Sequence, residues 1–588
     1  MTQTAYQAPL ELMELALRQA AQGSGAVALD GYAEVLGDLA RPILESAARF
    51  AAEVLSPLNR VGDRTPSYCT SGGVVTPPGF AAAYARFYRD GWVSLSAPVA
   101  SGGQGLPTLI AAATAEMWGG ANLAFAMCPE LAAGAIAALQ GLGAPGLPEE
   151  YVSCLVSGEW TATMCLTEPQ SGSDLSTLRT RADPCGAGWR LFGRKIYISW
   201  GDHDLTENIV HFVLARTPAS PPGLKGISLF LVPKKIRSAS GELQDNDIHA
   251  VSVEHKMGIR ASPTCVMALG EREGARGWLI GRLHEGLSCM FTIMNHMRLG
   301  VGLHSLGLAE RALQLARTHA RERLQGRDSK GAQRPIIEHA DVRRMLLTMK
   351  SLTLAARCMA YTTAATLDVA QLAENEQVRA GAVRRADLLT PVVKAWCSDA
   401  AVEVASLGVQ VHGGMGYIDD SEISQVYRDA RIGPIFEGTN YIQAQDLLRR
   451  KIVHDGGRTL AELLSDIEIA ARRLPTEADH PLAQLRAGLL EGSAQLHAAA
   501  SRLIDAAPAE PDLLGSTACY VLQWLGLLAG GWQLALATSS VPASATPARA
   551  VIDCAVFYGS QILPRIRTYA ATVAAGARPV TGASISDL

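Results

Sequence analysis

Several things are scarce in this 588-residue sequence, and each scarcity excludes a class of protein. Aromatic residues make up 6% of it, while Ala and Gly are frequent. That composition favours closely packed helices over a mainly β protein. No CxxC pair and no His cluster accompany the 11 cysteines, and their number is odd. A disulfide framework and a zinc site are therefore not expected, and buried thiols in a reducing cytosol are. No dense Lys/Arg tract occurs, and 52 basic against 56 acidic residues give a net charge of -4, so no nucleic-acid surface is indicated. The N-terminal stretch MTQTAYQAPLELMELAL has neither a basic n-region nor a long apolar h-region, so no signal peptide is expected there. Long apolar runs are also few. Tyr520 to Ala537 is marginal in length for a membrane span and contains Gln523, Gln533 and a Gly pair; it reads instead as a buried helix hairpin breaking at Gly530-Gly531.

What is present is a helix–β–helix order. Leu10 to Ala21, Tyr32 to Val54 and Phe80 to Tyr88 carry apolar residues at helical spacing, and Gly62 to Gly79 reads as a loop. Pro98 to Pro107 is a second irregular loop, either a plain connector or the lip of a site. From Trp160 to about Gly277 short β-rich runs take over: Trp189 to Ser199, Ile209 to Ala215, Gly226 to Val232 and Thr264 to Leu269. Turns at Pro184 to Gly188 and Pro218 to Gly223 separate them, which predicts one small sheet or barrel and not alternating βαβ units. Helical periodicity returns from Leu283, with one stripe at Val342, Met345, Leu346, Met349 and Leu352 and another at Val392, Val393, Trp396, Ala400 and Val404. The last segment is again helical, with a loop at Val541 to Pro547. The expected fold is mainly α with a central β domain. It comprises an N-terminal helical domain (1–157), a small β-barrel or sheet domain (158–280), a four-helix bundle (281–456) and an additional C-terminal helical domain (457–588).

The chemistry concentrates in YRDARIGPIFEGTNYIQAQDLLRRK, Tyr427 to Lys451. An apolar turn, Ile432 to Phe436, delivers a single carboxylate, Glu437, just before Gly438. Thr439 and Asn440 are candidate caps for the helix that follows, and Asn440 with Gln443 has capping-box spacing. A lone acid between an apolar wall and a helix start is placed to have a raised pKa and act as a base. On this stretch alone the plainer reading, a loop glutamate near a helix start, is the favoured one. Thr163 to Asp174, TMCLTEPQSGSD, ends a strand-like run in a turn presenting Ser171, Gly172 and Ser173; it is an ordinary turn or a holder of a polar ring edge or phosphate.

TMCLTEPQSGSD resembles the flavin loop of acyl-CoA dehydrogenases. The resemblance continues through GRKIYISWGDHD (Gly193 to Asp204), KMGIRASPTCV (Lys256 to Val266) and VQVHGGMGYIDD (Val409 to Asp420), and culminates in YRDARIGPIFEGTN. It runs from about residue 35 to 455. The extra C-terminal segment, with Gly91-Trp92, GGQGLP and SGEW, is similar to the large bacterial branch, which includes dehydrogenases for long-chain acyl-CoA and for 3-methylmercaptopropionyl-CoA.

The resemblance implies FAD as cofactor and an acyl-CoA substrate. Glu437 would take the α-proton while a hydride leaves the β-carbon for flavin N5, giving a trans-2-enoyl-CoA. The backbone N–H of Glu437 and the flavin ribityl 2′-hydroxyl would hold the thioester oxygen. Cys165, Leu166, Thr167 and Ser173 would line the flavin ring and the start of the substrate channel. Tyr197, Ile198 and Ser199 match a stretch covering the other flavin face, with Tyr for the common Trp and Ser for the common Thr. Taken alone, KIYIS is a plain amphipathic strand. Arg323 resembles an arginine that reaches the FAD pyrophosphate of a neighbouring subunit, although its segment is one residue short; the other reading is a solvated charged helix face. Gln410, Val411, His412, Gly413 and Gly414 match the turn supporting the adenosine end, with His412 alone readable as a structural turn residue. Thr439, Asn440 and Tyr441 bring a helix start near FAD. For CoA, Arg298 holds the family's arginine position, with Asn295 in place of the common Asp, and the rival reading is a bundle-surface charge. Phe436 and Gly438 flank the substrate. The implied partners are an electron-transfer flavoprotein as acceptor and further copies of the chain, dimer or larger, in the cytoplasm. Rival readings are an acyl-CoA oxidase, a dehydrogenase of carrier-protein thioesters, and a non-catalytic acyl-CoA binder or scaffold. The C-terminal segment could cover FAD, enlarge an interface or widen the substrate cavity.

Overall fold

Eight strands between Thr161 and Ile280 form one sheet in the computed structural model, which describes residues 5–142, 147, 150–238, 240–541 and 547–587. Strands Ile248–Val253, Thr264–Leu269, Gly188–Ser199, Ala275–Ile280, Ile227–Pro233, Ile209–Arg216 and Thr161–Cys165 lie side by side in that order. Arg181–Cys185 pairs alongside Gly188–Ser199. Parallel pairing is confined to Ile209–Arg216, against Thr161–Cys165 and, at one residue pair, Arg181. The interior strands Ile209–Arg216 and Ile227–Pro233 are buried almost throughout, which is why IVHFVLA and ISLFLV read as continuous apolar runs. Leu191, Ile198, Val213, Phe230, Cys265 and Met267 form part of the sheet's core.

This sheet belongs to a compact unit of residues 49–106 and 121–300. Within it the helix Phe80–Arg89 packs Phe87 edge-on against Phe50 and Phe125 at centroid distances of 5.7 and 5.6 Å. Two expectations need correction here. Gly62 to Gly79 is not a bare loop: the helix Ser56–Arg64 runs into it, and Tyr68–Thr70 pairs with Gly73–Val75 as a hairpin. Pro184 is not in a turn but in the strand Arg181–Cys185, opposite Trp189. The loop after Pro98 closes on itself, with Gly103 N donating to Pro98 O and Gly105 N to Ala97 O. A side chain at Gly103 would strike the Ala97 carbonyl.

The second unit comprises residues 1–48, 107–120 and 301–588. It contains most of the helix Gly286–Glu322 and all of Ala340–Leu372 and Glu376–His412, the last two carrying both expected apolar stripes. Its interior holds charge: the buried Arg357 donates to Glu116 at 2.6 Å and to Glu310 at 2.8 Å, and Tyr361 Oη donates to Glu116 at 2.7 Å. Charges so deep are tolerated because they are mutually paired. Asp368 caps the helix Thr108–Leu142 from another helix, accepting from Thr108 N and Leu109 N at 2.7 and 3.1 Å.

The C-terminal helices Arg458–Arg473, Ala483–Ala506 and Pro511–Ser540 belong to the same unit. Pro511–Ser540 is one unbroken helix, so the hairpin expected at Gly530-Gly531 is wrong. The glycines serve close packing. A Cβ at Gly526 would lie 2.4 Å from Trp396 Cδ1, and one at Gly530 would lie 2.7 Å from Tyr558 Oη. A second helix, Thr108–Leu142, is also long and apolar enough to cross a membrane, but both windows are mostly buried inside the protein. The expected loop at Val541 to Pro547 falls largely outside the described residues.

Candidate active site

The expected site residues divide between the two units. In the sheet unit, the strand Thr161–Cys165 leads into Leu166 and Thr167, both half-buried, and on to the exposed Ser173. The segment is pinned from beneath by a buried ion pair. Lys195 Nζ donates to Leu166 O at 3.0 Å and to Glu168 Oε1 at 2.9 Å. Glu168 also accepts from Thr180 N, Thr180 Oγ1 and Arg179 N at 2.9, 2.6 and 2.8 Å. Burial alone would raise the Glu168 carboxyl, but the Lys195 ammonium and these donors outweigh it and hold it at about 2. Ile196 N donates to Thr167 O at 2.9 Å, which sets KIYIS beside the loop.

The strand Gly188–Ser199 departs from regular geometry where function is expected. Tyr197 has φ 59°, a left-handed value, and its side chain stands 62% exposed between buried Lys195 and Ile198 and half-buried Ser199. A plain amphipathic strand does not require that. An exposed aromatic residue, with half-buried Ser199 on the same strand and half-buried Thr167 on the segment that strand bonds to, is a set that fits a flat, polar-edged ring such as the flavin the resemblance implies. Cys165 contributes differently from the others. Its side chain is wholly buried in the sheet core, and burial pushes its thiol up to about 11, so its backbone is what it offers a ligand. In the same unit Arg298 is only 4% exposed, donates to Asn295 Oδ1 at 3.1 Å and lies 5.7 Å from the Phe291 ring centre. It is therefore not a bundle-surface charge; the exposed member of the pair is Asn295.

In the helical unit, Arg323 is exposed just past the end of Gly286–Glu322, where Leu324–Arg327 begins a two-stranded hairpin. It is not on a helix face. One turn earlier, His319 stacks on His412 at 4.3 Å, which brings Arg323 and the Gln410–Gly414 turn to one region. His412 Nδ1 pairs with Gly408 O at 2.8 Å, and burial holds its pKa down to about 4. Val411 is buried, whereas Gln410, Gly413 and Gly414 are exposed. A Cβ at either glycine would meet nothing within 4 Å, leaving the backbone there open to a ligand.

Glu437 is half-buried and has φ 57°, followed by Gly438 at φ 78°. For a residue with a Cβ this conformation costs roughly 1–2 kcal/mol, so the surroundings must impose it. They do so through its carbonyl and the next one. Gln443 Nε2 donates to Glu437 O and Gly438 O at 3.1 and 3.2 Å, and the buried Lys394 Nζ donates to Gly438 O at 2.8 Å. Phe436 is half-buried beside it. The cap of the following helix, Asn440–Gln445, is Thr439, whose Oγ1 accepts from Ile442 N at 3.3 Å. Asn440 is therefore not the cap, and no capping box forms, because its side chain turns the other way. Its Oδ1 takes Lys394 Nζ at 2.9 Å and its Nδ2 donates to Asp399 at 2.8 Å. Tyr441 is 47% exposed. The sequence reading includes neither Lys394 nor Asp399, and Gln443 only as a capping-box partner; the one further signal is a lysine inside the apolar run VVKAWC.

Three family models match the chain: "Acyl-CoA dehydrogenase, middle domain" over residues 163–271, "Acyl-CoA dehydrogenase, C-terminal domain" over 284–452, and "Acetyl-CoA dehydrogenase C-terminal like" over 460–584. A 3-methylmercaptopropionyl-CoA dehydrogenase of Ruegeria pomeroyi is 43% identical over 543 residues, 92% of each chain. A broad-specificity linear acyl-CoA dehydrogenase of Mycobacterium tuberculosis is 35% identical over 74% of each. Among solved structures, Caenorhabditis elegans ACDH-11 in complex with C11-CoA superposes with a TM-score of 0.77 at 20% identity, covering 96% of this chain and 93% of that one. An acyl-CoA dehydrogenase of Bacillus anthracis complexed with FAD gives 0.75 at 22% identity, covering 91% and 88%; these two likenesses bear on the fold. The fold, the matched segments and the long alignments agree: the chain belongs to the acyl-CoA dehydrogenase family of FAD-dependent oxidoreductases.

Proposed function

We propose that Glu437 is the base that removes the α-proton of an acyl-CoA thioester, in a dehydrogenation that yields the trans-2-enoyl-CoA. The observation that carries this is the backbone at Glu437. A left-handed glutamate held at its own carbonyl and the next by Gln443 and by Lys394 is a carboxylate whose placement the protein enforces at a cost. A loop glutamate without a role needs no such restraint. Phe436 and Gly438 flank the acyl chain, and the half-buried setting of Glu437 limits its hydration. Leu166, Thr167, Ser173, Tyr197 and Ser199, with the backbones of Cys165 and Ile198, would hold the flavin ring. Arg323 and the Gln410–Gly414 turn take its pyrophosphate and adenosine end from a second copy of the chain, and Thr439, Asn440 and Tyr441 approach it as well. FAD, when bound, supplies the hydride acceptor for the β-carbon. Asn295 and Arg298 serve the CoA nucleotide.

The acyl group we favour is 3-methylmercaptopropionyl or another short to long chain, on the strength of the similarity to the Ruegeria pomeroyi protein. An electron-transfer flavoprotein as acceptor, a homodimer or larger assembly, a cytoplasmic location and the four-part division at 157, 280 and 456 complete the proposal. The test is an anaerobic titration of the FAD-loaded protein with short, medium, long and branched acyl-CoAs, including 3-methylmercaptopropionyl-CoA. Bleaching of the flavin by at least one is expected. A protein that stays colourless after incubation with FAD would leave only the non-catalytic reading, and stoichiometric hydrogen peroxide under oxygen would favour the oxidase.

A further inference from the structure

We propose that Asp399 and Gln523 are positioning residues for the reaction, through which the C-terminal helix Pro511–Ser540 holds the Glu437 loop in register. The inference rests on the reading of Glu437 as the base.

The contact is a continuous chain of hydrogen bonds within one compact unit. Gln523 Nε2 donates to Asp399 Oδ2 at 2.5 Å. Asp399 Oδ1 accepts from Asn440 Nδ2 at 2.8 Å, and Asn440 Oδ1 accepts from Lys394 Nζ at 2.9 Å. Lys394 also donates to Gly438 O at 2.8 Å, one residue from Glu437. The chain has a fixed polarity. An ammonium at one end requires the oxygen of Asn440, which turns its amide N–H groups toward Ala395 O at 3.1 Å and toward Asp399. Asp399 then accepts at both oxygens, which is the hydrogen-bonding pattern of a carboxylate. Burial raises the pKa of Asp399, while Asn440, Gln523 and Lys394 oppose that. Removing the Gln523 donor would therefore take away one of the groups that keep it charged.

The same helix grips the segment after Glu437 at two more points. Gln445 Nε2 donates to Leu514 O at 3.2 Å and Arg449 to Pro511 O at 3.4 Å. A base on a strained backbone is precise only if its supports are rigid, and here the outermost support comes from the C-terminal segment. That assigns the segment a task distinct from covering FAD, enlarging an interface or widening the cavity.

The test uses the full-length, FAD-loaded enzyme and reads the anaerobic rate of flavin bleaching at saturating acyl-CoA, the half-saturating concentration and the FAD content. Gln523→Leu removes the donor, and Gln523→Glu sets a second carboxylate against Asp399. Each is expected to slow bleaching about tenfold, since misplacing a reacting group by about 1 Å can cost a hundredfold, while half-saturation and FAD content stay within about twofold. Asp399→Asn combined with Gln523→Glu reverses the polarity of that one link at constant net charge. It should return the rate to within about threefold of wild type. Wild-type rates in both single variants, or no recovery in the double variant, would overturn the proposal. Glu437→Gln run in parallel separates the two readings: if it bleaches normally the base assignment fails, whereas an inert Glu437→Gln beside unaffected Gln523 variants removes only the positioning role.

Discussion

The buried pair Glu168–Lys195 makes a prediction about pH with a definite sign. The Glu168 carboxyl lies at about 2 in the folded protein, against 4.5 unperturbed. A depressed folded pKa contributes stability that is fully present above the unfolded value and is lost as pH falls through the folded one. That depression is worth about 3 kcal/mol of stability at neutral pH. The group is 3% exposed, so solvent screening takes little of it. Glu168→Gln keeps the shape and removes the charge, leaving Lys195 buried without its counter-ion. Thermal melting of both proteins should show the wild type more stable by about 3 kcal/mol at pH 7. That difference should shrink steadily as pH falls from about 4.5 towards 2. Because Lys195 also holds Leu166 O, the variant should bind FAD more weakly. A difference in melting temperature that is constant from pH 7 to pH 3 would refute the reasoning.

Two further outcomes follow from packing and from the loop. Gly526→Ala drives a methyl into Trp396, at 2.4 Å, and should lower the melting temperature by the equivalent of ~1–3 kcal/mol, partly offset by the better helix propensity of alanine; an increase would show that the helices can part freely. Lys394→Met keeps the stem but removes the ammonium from Gly438 O and Asn440 Oδ1, so bleaching by acyl-CoA should slow about tenfold or more with FAD retained. A wild-type rate would show that Gln443 alone suffices to hold the loop.

Ile209–Arg216, Ile227–Pro233 and Thr264–Leu269 are legible because they are buried almost throughout and read as apolar runs, and Gly188–Ser199, only partly buried, through its β-branched and aromatic residues. Ile248–Val253 escapes because it is an edge strand with five of its six residues at least partly exposed in no regular alternation, and Arg181–Cys185 because Asp183 and Pro184 argue against a strand. Gly530-Gly531 reads as a break because a glycine that breaks a helix and a glycine that admits the Tyr558 ring look alike until the partner is known. The same limit governs the site. Glu437 was legible from its neighbours in sequence. The left-handed φ of Glu437 itself was not, because it is imposed by Lys394 and Gln443, one of them more than 40 residues away. The sequence offers Thr439 and Asn440 alike as caps; tertiary partners Lys394 and Asp399 claim the Asn440 side chain and leave the cap to Thr439.

The most direct measurement is anaerobic mixing of FAD-loaded Glu437→Gln with an acyl-CoA that bleaches the wild type. The amide keeps the size of the side chain and the grip of Gln443 and Lys394 on the backbone, so FAD content and thioester binding should be preserved. With no carboxylate to accept the α-proton, the flavin should stay oxidised. Bleaching at the wild-type rate would contradict the account, because the base would then be another group.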